Sequence, residues 1–240
     1  ILVIQRTEIN LGEDELVDIV DLLTAFFVRR NLTGTPATYG LVRLFMDLVA
    51  RLRTSPPQDR KQLILDALTA VSESDEGFHR VLSGPVYEVN SDVVRFILAS
   101  LAERRMTAET EQDLWHRIET KGKPVYRWSI EHILPQGENL PSGWVSMLGG
   151  AEAAAEARER FAHHLGNLTI TGFNSSLGNR SFIEKRDRVD SNGNSIGYRN
   201  GLSLNADLAV RDSWGVDAIS ARTEQLAGEA MAAFPLAYRR

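Results

Sequence analysis

A glutamate and a histidine stand side by side in this sequence, shortly before a proline, at Glu131, His132 and Pro135. Imidazole titrates near neutral pH and can accept a proton without first losing one, so His132 suits a general base. Two segments with asparagines follow, at 165–170 and 173–179. Carboxylate and amide oxygens are ligands that hard divalent ions prefer. These residue types suit a hydrolysis in which a base activates water beside a metal ion.

The element that would carry the pair is a strand over residues 125–132, which ends close to His132. Alternation along a strand puts Glu131 on one face with Ser129, and His132 on the other face with Ile130. The two side chains therefore diverge unless the strand ends there. Pro135 favours such an end, because proline donates no hydrogen bond to a sheet and also constrains the residue before it.

The segments IEHILPQ and LGNLTITGFNSSLGNRSFIEK resemble the C-terminal nuclease domain of GmrSD-like and SspE-like bacterial anti-phage restriction proteins. Those proteins belong to the HNH, or His-Me finger, superfamily. The resemblance implies that His132 is the general base and that Glu131 is a metal ligand. It also implies that Asn167 pins the loop of the finger, as part of the catalytic set. Asn174 matches the second metal ligand, at the start of a helix, and Asn179 is close enough to be the alternative.

The resemblance further implies a DNA endonuclease that depends on one Mg²⁺ or Mn²⁺ ion and nicks one strand. Such a hydrolase would be the effector of a modification-sensing anti-phage system, with phage DNA as substrate and an N-terminal sensor domain of the same protein as partner. The sequence has no cysteine, which excludes the zinc-binding cysteine pairs of many such fingers. The alternative function is a noncatalytic helical scaffold, or partner-binding module, that carries a degenerate finger. An RNA substrate is a lesser alternative.

Composition and charge set the limits of these interpretations. The 240 residues are 43% hydrophobic and 25% charged, which predicts one sizeable core or two small ones. No apolar run reaches the roughly 20 residues of a membrane span, so we expect a cytoplasmic protein, and the resemblance implies a bacterial one. The net charge of -5 argues against broad affinity for nucleic acid. Residues 158–200 nevertheless hold seven basic against four acidic residues. The predicted DNA contacts are Arg127, Arg180, Lys185, Arg186 and Arg188.

The predicted fold class is mainly α (α+β): a helical bundle, then a ββα-metal finger with an inserted helix, then a C-terminal helix. The bundle would occupy residues 1–120 and link to the sensor, and the nuclease domain would occupy 121–240. Apolar positions spaced by three and four residues, together with caps, indicate the helices. They are predicted over 12–31, from Thr35-Pro36 to 54, and over 58–72, 91–105, 107–120, 150–164, 180–189 and after Trp214.

Two further sets of residues receive structural interpretations. His163 and His164 end the inserted helix, where a positive imidazole would favour the negative end of the helix dipole, although a phosphate contact or accessory proton donor is the alternative. The four tryptophans, Trp115, Trp128, Trp144 and Trp214, are scattered and are predicted to be core anchors. The sequence therefore indicates no pocket that reads or flips a base.

Overall fold

The computed structural model describes residues 12–120 and 122–238. Internal contacts divide the chain into two compact units. The first unit comprises Ile1–Val81 and Ala230–Arg240, and the second unit comprises Leu82–Glu229. These bounds differ from the division predicted at residue 120, because the helix that follows residue 85 belongs to the second unit. The functional division into a bundle and a nuclease domain stays a prediction.

Most of the regular structure is helical, which confirms the predicted mainly α fold. The helices are α1 (Glu13–Thr33), α2 (Thr38–Thr54), α3 (Arg60–Thr69), α4 (Asp75–Leu82), α5 (Val86–Glu103), α6 (Ser142–Met147), α7 (Ala151–Phe161), α8 (Asn174–Leu177), α9 (Phe182–Arg186), α10 (Ala206–Val210) and α11 (Val216–Ala233). The strands are β1 (Arg117–Thr120), β2 (Lys123–Tyr126), β3 (Ser129–His132) and β4 (Leu168–Thr171). Among the described residues, no helix is long and apolar enough to cross a membrane.

The first unit is built on α1, whose start and end follow from its sequence. Three acidic residues occupy the first turn, where they complement the helix dipole, and Gly34 ends the helix in the left-handed conformation at φ 73°. The apolar face of α1 meets α2 and α3 in one core, formed by Ile19, Leu22, Phe26, Leu48, Leu52, Ile64 and Leu68. Leu236 and Tyr238 pack against this same core. The first unit is therefore assembled from two separate parts of the chain.

The helix predicted to begin at Thr35-Pro36 begins instead at Thr38, with Ala37 as its N-cap. Arg30 accounts for the difference, since its guanidinium donates to Pro36 O at 3.0 Å and to Thr38 Oγ1 at 2.6 Å. These bonds hold the preceding segment as a loop. The predicted helix over 58–72 is a 3-10 turn followed by α3, and α4 was not predicted.

The helix predicted from residue 91 is the regular part of α5, which begins earlier, at Val86. Asn90 interrupts it with φ -162° and ψ 93°. Its Oδ1 accepts a hydrogen bond from Val93 N at 3.2 Å, as the side chain of an N-cap does. The N-cap at Asn90 was thus predicted correctly, but it lies inside a longer, kinked helix.

The predicted helix over 107–120 is wrong. Residues 117–120 form β1, which pairs antiparallel with β2 from Arg117↔Tyr126 to Thr120↔Lys123. The predicted single strand over 125–132 is likewise divided, since β2 and β3 belong to different two-stranded sheets. Arg95 on α5 fixes the segment between β2 and β3, because its Nε donates to Trp128 O at 2.8 Å.

The core of the second unit lies between α6, α7, α9 and α11. Its buried members include Ile133, Leu134, Trp144, Ala157, Phe182, Tyr198, Trp214 and Ile219. The predicted inserted helix corresponds to α7, and the predicted C-terminal helix corresponds to α11. The helix predicted over 180–189 is shorter, and α8 precedes it. The stretch 192–212, in which no helix was predicted, contains the short helix α10.

Candidate active site

The candidate site is organised by the antiparallel pair β3 and β4. Glu131 lies opposite Thr169, and His132 lies opposite Leu168. All four residues of β4 are buried, and so are the last two residues of β3. Glu131 and His132 therefore sit at the buried end of their strand, where the chain leaves the sheet toward Pro135.

The start of β4 is fixed by α11. A Cβ at Gly166 would lie 2.1 Å from Ile219 O, so only glycine permits this approach. Buried Arg222 donates from Nη1 to Gly166 O at 2.6 Å and to Leu168 O at 2.8 Å. The Gly-Asn pair of the sequence thus reflects close packing of a strand against a helix.

Asn167 uses its whole side-chain amide to pin the loop after β3. Its Oδ1 accepts from Leu134 N at 2.8 Å and from Trp214 Nε1 at 3.1 Å. Its Nδ2 donates to Leu134 O and to Ala162 O, each at 2.9 Å. This fills the two donors and both acceptor positions of the amide. The residue is completely buried, so its place is that of a positioning group, which is the pinning that the resemblance implies.

His132 reaches a cavity of about 390 Å³ whose lining includes Tyr87, Glu131, Gln136, Asn174 and Asn179. Burial, followed by the neighbouring His163 and Lys185, lowers the pKa of His132 from 6.5 to about 3. The imidazole is consequently neutral at physiological pH. The imidazole is therefore in the unprotonated form that a general base requires, but the burial that lowers its pKa also weakens it as a base.

His163 and Tyr87 surround this imidazole, and sequence analysis gave neither of them this place. His132 Nε2 lies 3.3 Å from His163 Nδ1. The ring of Tyr87 meets His132 edge to face at 4.7 Å and stacks on His163 at 5.4 Å. On its far side, His163 Nε2 lies 3.6 Å from Glu88 Oε1. A signal for His163 existed, because it comes shortly before the strand that pairs with His132.

Glu131 forms a buried ion pair with Lys185. The Nζ atom lies 2.6 Å from Glu131 Oε1 and also donates to His132 O at 2.7 Å and Ile133 O at 3.1 Å. Burial raises the pKa of Glu131 and lowers that of Lys185, and their mutual attraction opposes both shifts. Lys185 is 0% exposed, which contradicts its prediction as a DNA contact. Its spacing from buried Phe182, three residues along α9, was a signal that both face inward.

The two competing asparagines are held differently. Asn174 Nδ2 donates to Ile130 O at 2.7 Å and to Ser129 Oγ at 3.3 Å, so the amide is anchored to β3 with Oδ1 directed away from that bond. Asn179 Nδ2 donates to Asn139 O at 2.5 Å. Both residues line the cavity of His132. The anchoring to β3 favours Asn174, and the ligand assignment stays a prediction.

The side chains of the other predicted DNA contacts differ in their exposure to solvent. Arg186 is buried and binds Asp187 at 2.7 Å and Asp212 at 2.6 Å, so its prediction as a DNA contact is also contradicted. Arg127 is exposed, and Arg180 and Arg188 are half-buried. Only these three arginines remain available to a phosphate among the five basic residues predicted.

The donor set for a metal ion is small. Within residues 12–120 and 122–238, no cluster of three or more His, Cys, Asp or Glu side chains is arranged to hold a metal. Glu131 and Asn174, whose side chains carry a carboxylate and an amide, both line the cavity of His132. Oxygen donors of this kind suit Mg²⁺ or Mn²⁺, which commonly keep several water ligands and bind substrate phosphate.

The family model for the C-terminal domain of GmrSD restriction endonucleases matches residues 72–229. No curated protein and no solved structure matches the chain. The matched residues include β3, β4 and every residue of the candidate site.

Proposed function

Because this chain belongs to the family of C-terminal domains of GmrSD restriction endonucleases, we propose that it is a nuclease domain that hydrolyses phosphodiester bonds in DNA with His132 as general base. The observation that carries the proposal is the imidazole of His132 at the wall of a cavity that Glu131 and Asn174 also line. The antiparallel β3 and β4, followed by α8, supply the two strands and the helix of the ββα finger that we propose.

His132 would remove a proton from the attacking water. Its Nδ1 is free for that proton if the hydrogen of the imidazole is on Nε2 and is donated to His163 Nδ1, 3.3 Å away. His163 then carries its own hydrogen on Nε2, which faces Glu88 Oε1 at 3.6 Å. A carboxylate on that side favours this tautomer. We therefore assign His163 as a positioning residue that holds His132 in the tautomer that can act as a base.

The residues present fit one hard divalent ion. The hydrogen bonds of Asn174 Nδ2 leave Oδ1 as the atom for a ligand, and Lys185 contacts Oε1 of Glu131. Glu131 and Asn174 would hold Mg²⁺ or Mn²⁺, which would supply positive charge for the phosphate and the leaving oxygen. With one ion and one base per chain, the expected activity is a nick. The proposed setting is a modification-sensing defence against phage, with a sensor domain as the partner.

A supercoiled-plasmid assay with Mg²⁺, Mn²⁺ and EDTA tests this function. His132→Ala should lower the nicking rate by about 10² to 10⁴, the usual contribution of a general base, with unchanged DNA affinity. His163→Ala should lower kcat, and His163→Asn, which can still accept a hydrogen bond from His132, should recover part of the loss with little change in KM.

Nicking by His132→Ala at the wild-type rate would refute the mechanism. Equal rates for His163→Ala and wild type would refute the positioning role alone. A wild-type chain that binds DNA but cuts it with none of these ions would instead favour the noncatalytic scaffold.

A further inference from the structure

A second pocket, of about 690 Å³, adjoins the candidate site within the second unit. Phe96, Trp115 and Tyr126 give it aromatic walls, and Arg95 and Arg117 add positive charge. We call it the aromatic pocket. Its volume lies in the range of about 300 to 1,000 Å³ in which proteins bind small molecules. The pocket is large enough for one aromatic ligand of the size of a nucleotide.

The aromatic rings are held in place around an opening to solvent. The ring of Trp115 lies 5.4 Å from that of Phe96 and 6.2 Å from that of Tyr126. Its Nε1 donates to Glu103 Oε1 at 2.5 Å, which fixes the orientation of the indole. Trp115 is only half-buried, whereas Trp144 and Trp214 are 0% exposed. The prediction that the tryptophans are core anchors is therefore confirmed for Trp144 and Trp214, whereas Trp115 and Trp128 are only half-buried.

Two arginines brace the same wall in different ways. Arg95 is buried, donates to the backbone carbonyl groups of Trp128 and Leu114, and stacks 3.6 Å from the centre of the Tyr126 ring. Arg117 is exposed, donates to Tyr126 Oη at 2.9 Å and lies 4.6 Å from the same ring centre. Arg95 therefore fixes the wall, and Arg117 presents charge to solvent at its rim.

The polar groups of the pocket indicate which part of a nucleotide would enter it. Ser91 and Asp92 belong to its lining. A carboxylate repels phosphate, but it accepts hydrogen bonds from N–H groups on the edge of a base, such as the amino group of cytosine or the imide of thymine. Aromatic faces bind bases by stacking. The base would consequently occupy the pocket, while the phosphate stays outside, near Arg117.

The aromatic pocket shares a wall with the cavity that contains His132. Tyr87, Ile130 and Asn174 line both of them. A base in the pocket would therefore place a neighbouring phosphate of its own strand toward His132. Enzymes that do chemistry on a base take that base out of the stack into a pocket, so a protein pocket of this kind is able to hold an unstacked base.

We propose that the aromatic pocket holds one unstacked nucleobase of the DNA strand that is cut, next to the phosphate cleaved beside His132. This inference rests on the proposed nuclease function and adds to it a preference for strands in which a base is free to leave the stack. Arg95 lies over one face of the Trp115 ring, 5.2 Å from its centre, so the base would stack on the opposite face of Trp115. Arg117 provides a contact to the sugar-phosphate backbone at the rim.

Binding measured without catalysis tests the proposal. The 240-residue chain is titrated in EDTA against a fluorescently labelled strand of twelve thymidines, and against an abasic strand of equal length. The wild-type chain should bind the thymidine strand about 5- to 150-fold more tightly, the usual contribution of stacking one base on an aromatic side chain. Trp115→Ala should bind both strands equally, and Trp115→Phe should keep most of the preference.

Two controls separate stacking from charge and from folding. Arg117→Gln should weaken binding of both strands by a similar factor, because phosphates are present in both. Tyr39→Ala, at an aromatic side chain that is 90% exposed in the first unit, should change neither affinity. An unchanged thermal unfolding midpoint for Trp115→Phe shows that the second unit is intact.

Equal affinity of the wild-type chain for the two strands would overturn the proposal. Equal weakening of both strands by Trp115→Ala would overturn it as well, and tighter binding of a uridine RNA strand would overturn the assignment to DNA. The binding titration does not depend on cleavage, so its result can be compared with that of the plasmid assay. A chain that prefers the thymidine strand but cuts no plasmid would refute the nuclease function and leave the base-binding pocket supported.

Discussion

Replacing Lys185 by methionine should destabilise the second unit by about 3 to 5 kcal/mol, the range for leaving one partner of a buried ion pair uncompensated. The side chains of Lys185 and Glu131 are 0% and 4% exposed, so water cannot replace the lost charge. The carbonyl groups of His132 and Ile133 lose a donor as well. We therefore expect a value in the upper half of that range. Methionine keeps a long unbranched side chain, which limits any added packing defect.

The loss should depend on pH, because Glu131 can become neutral by taking up a proton. Without Lys185, the pKa of Glu131 in the folded chain rises further above its unfolded value. The folded state then binds more protons than the unfolded state, so the stability of the variant increases as the pH falls, by about 1.4 kcal/mol per unit. The defect should be largest near pH 8 and smaller near pH 6.

Urea-induced unfolding followed by tryptophan fluorescence measures this effect in the right unit, since the four tryptophans all lie within residues 82–229. Lys123→Met, at an exposed lysine, is the matched control and should change the unfolding free energy by less than about 0.5 kcal/mol. Adding Glu131→Gln to Lys185→Met should recover much of the loss. A cost below about 1 kcal/mol that does not vary with pH would refute this account of the pair.

Two other predictions concern the same cavity. Asn174→Ala should abolish nicking and its dependence on Mn²⁺. Asn179→Ala should cost about 1 kcal/mol of stability and leave Mn²⁺ titrations of the nicking rate unchanged. The reverse result would exchange the two residues as ligands. The folded pKa of His132, about 3, lies below its unfolded value of 6.5, so the unfolded chain takes up the proton first as the pH falls. The unfolding free energy of wild type relative to His132→Gln should therefore decrease by about 1.4 kcal/mol per pH unit below 6.5. If this free-energy difference did not change between pH 6.5 and 4.5, His132 would not be buried as described.

Local features of the sequence were sufficient for several elements. Pro135 predicted the end of the strand that carries Glu131 and His132, and the apolar spacing after Trp214 predicted α11. Such signals lie within one turn of a helix or within a few residues of a strand. They need no information about the rest of the chain.

The errors came from contacts between distant residues. The charged segment 107–120 has helix-forming composition, but pairing with β2 and the contacts of Arg117 with Tyr126 make residues 117–120 a strand. Likewise, α9 gives no indication of which side chain meets Lys185, because Glu131 lies 54 residues earlier. Tertiary context overrides local propensity in such cases. The place of His163 beside His132 was not predicted for the same reason, since it depends on the pairing of β4 with β3.

The first unit contains residues that precede the second unit in the sequence and residues that follow it. Tyr238 donates to Lys61 O at 2.6 Å, and its ring lies 4.6 Å from the ammonium group of Lys61. A ribosome makes residues 82–229 before it makes Leu236 and Tyr238. During synthesis, therefore, the second unit can fold as soon as its own residues have emerged, whereas the helices α1 to α3 must wait with part of their core exposed. The order of synthesis thus allows the candidate active site to be completed before the core of the first unit.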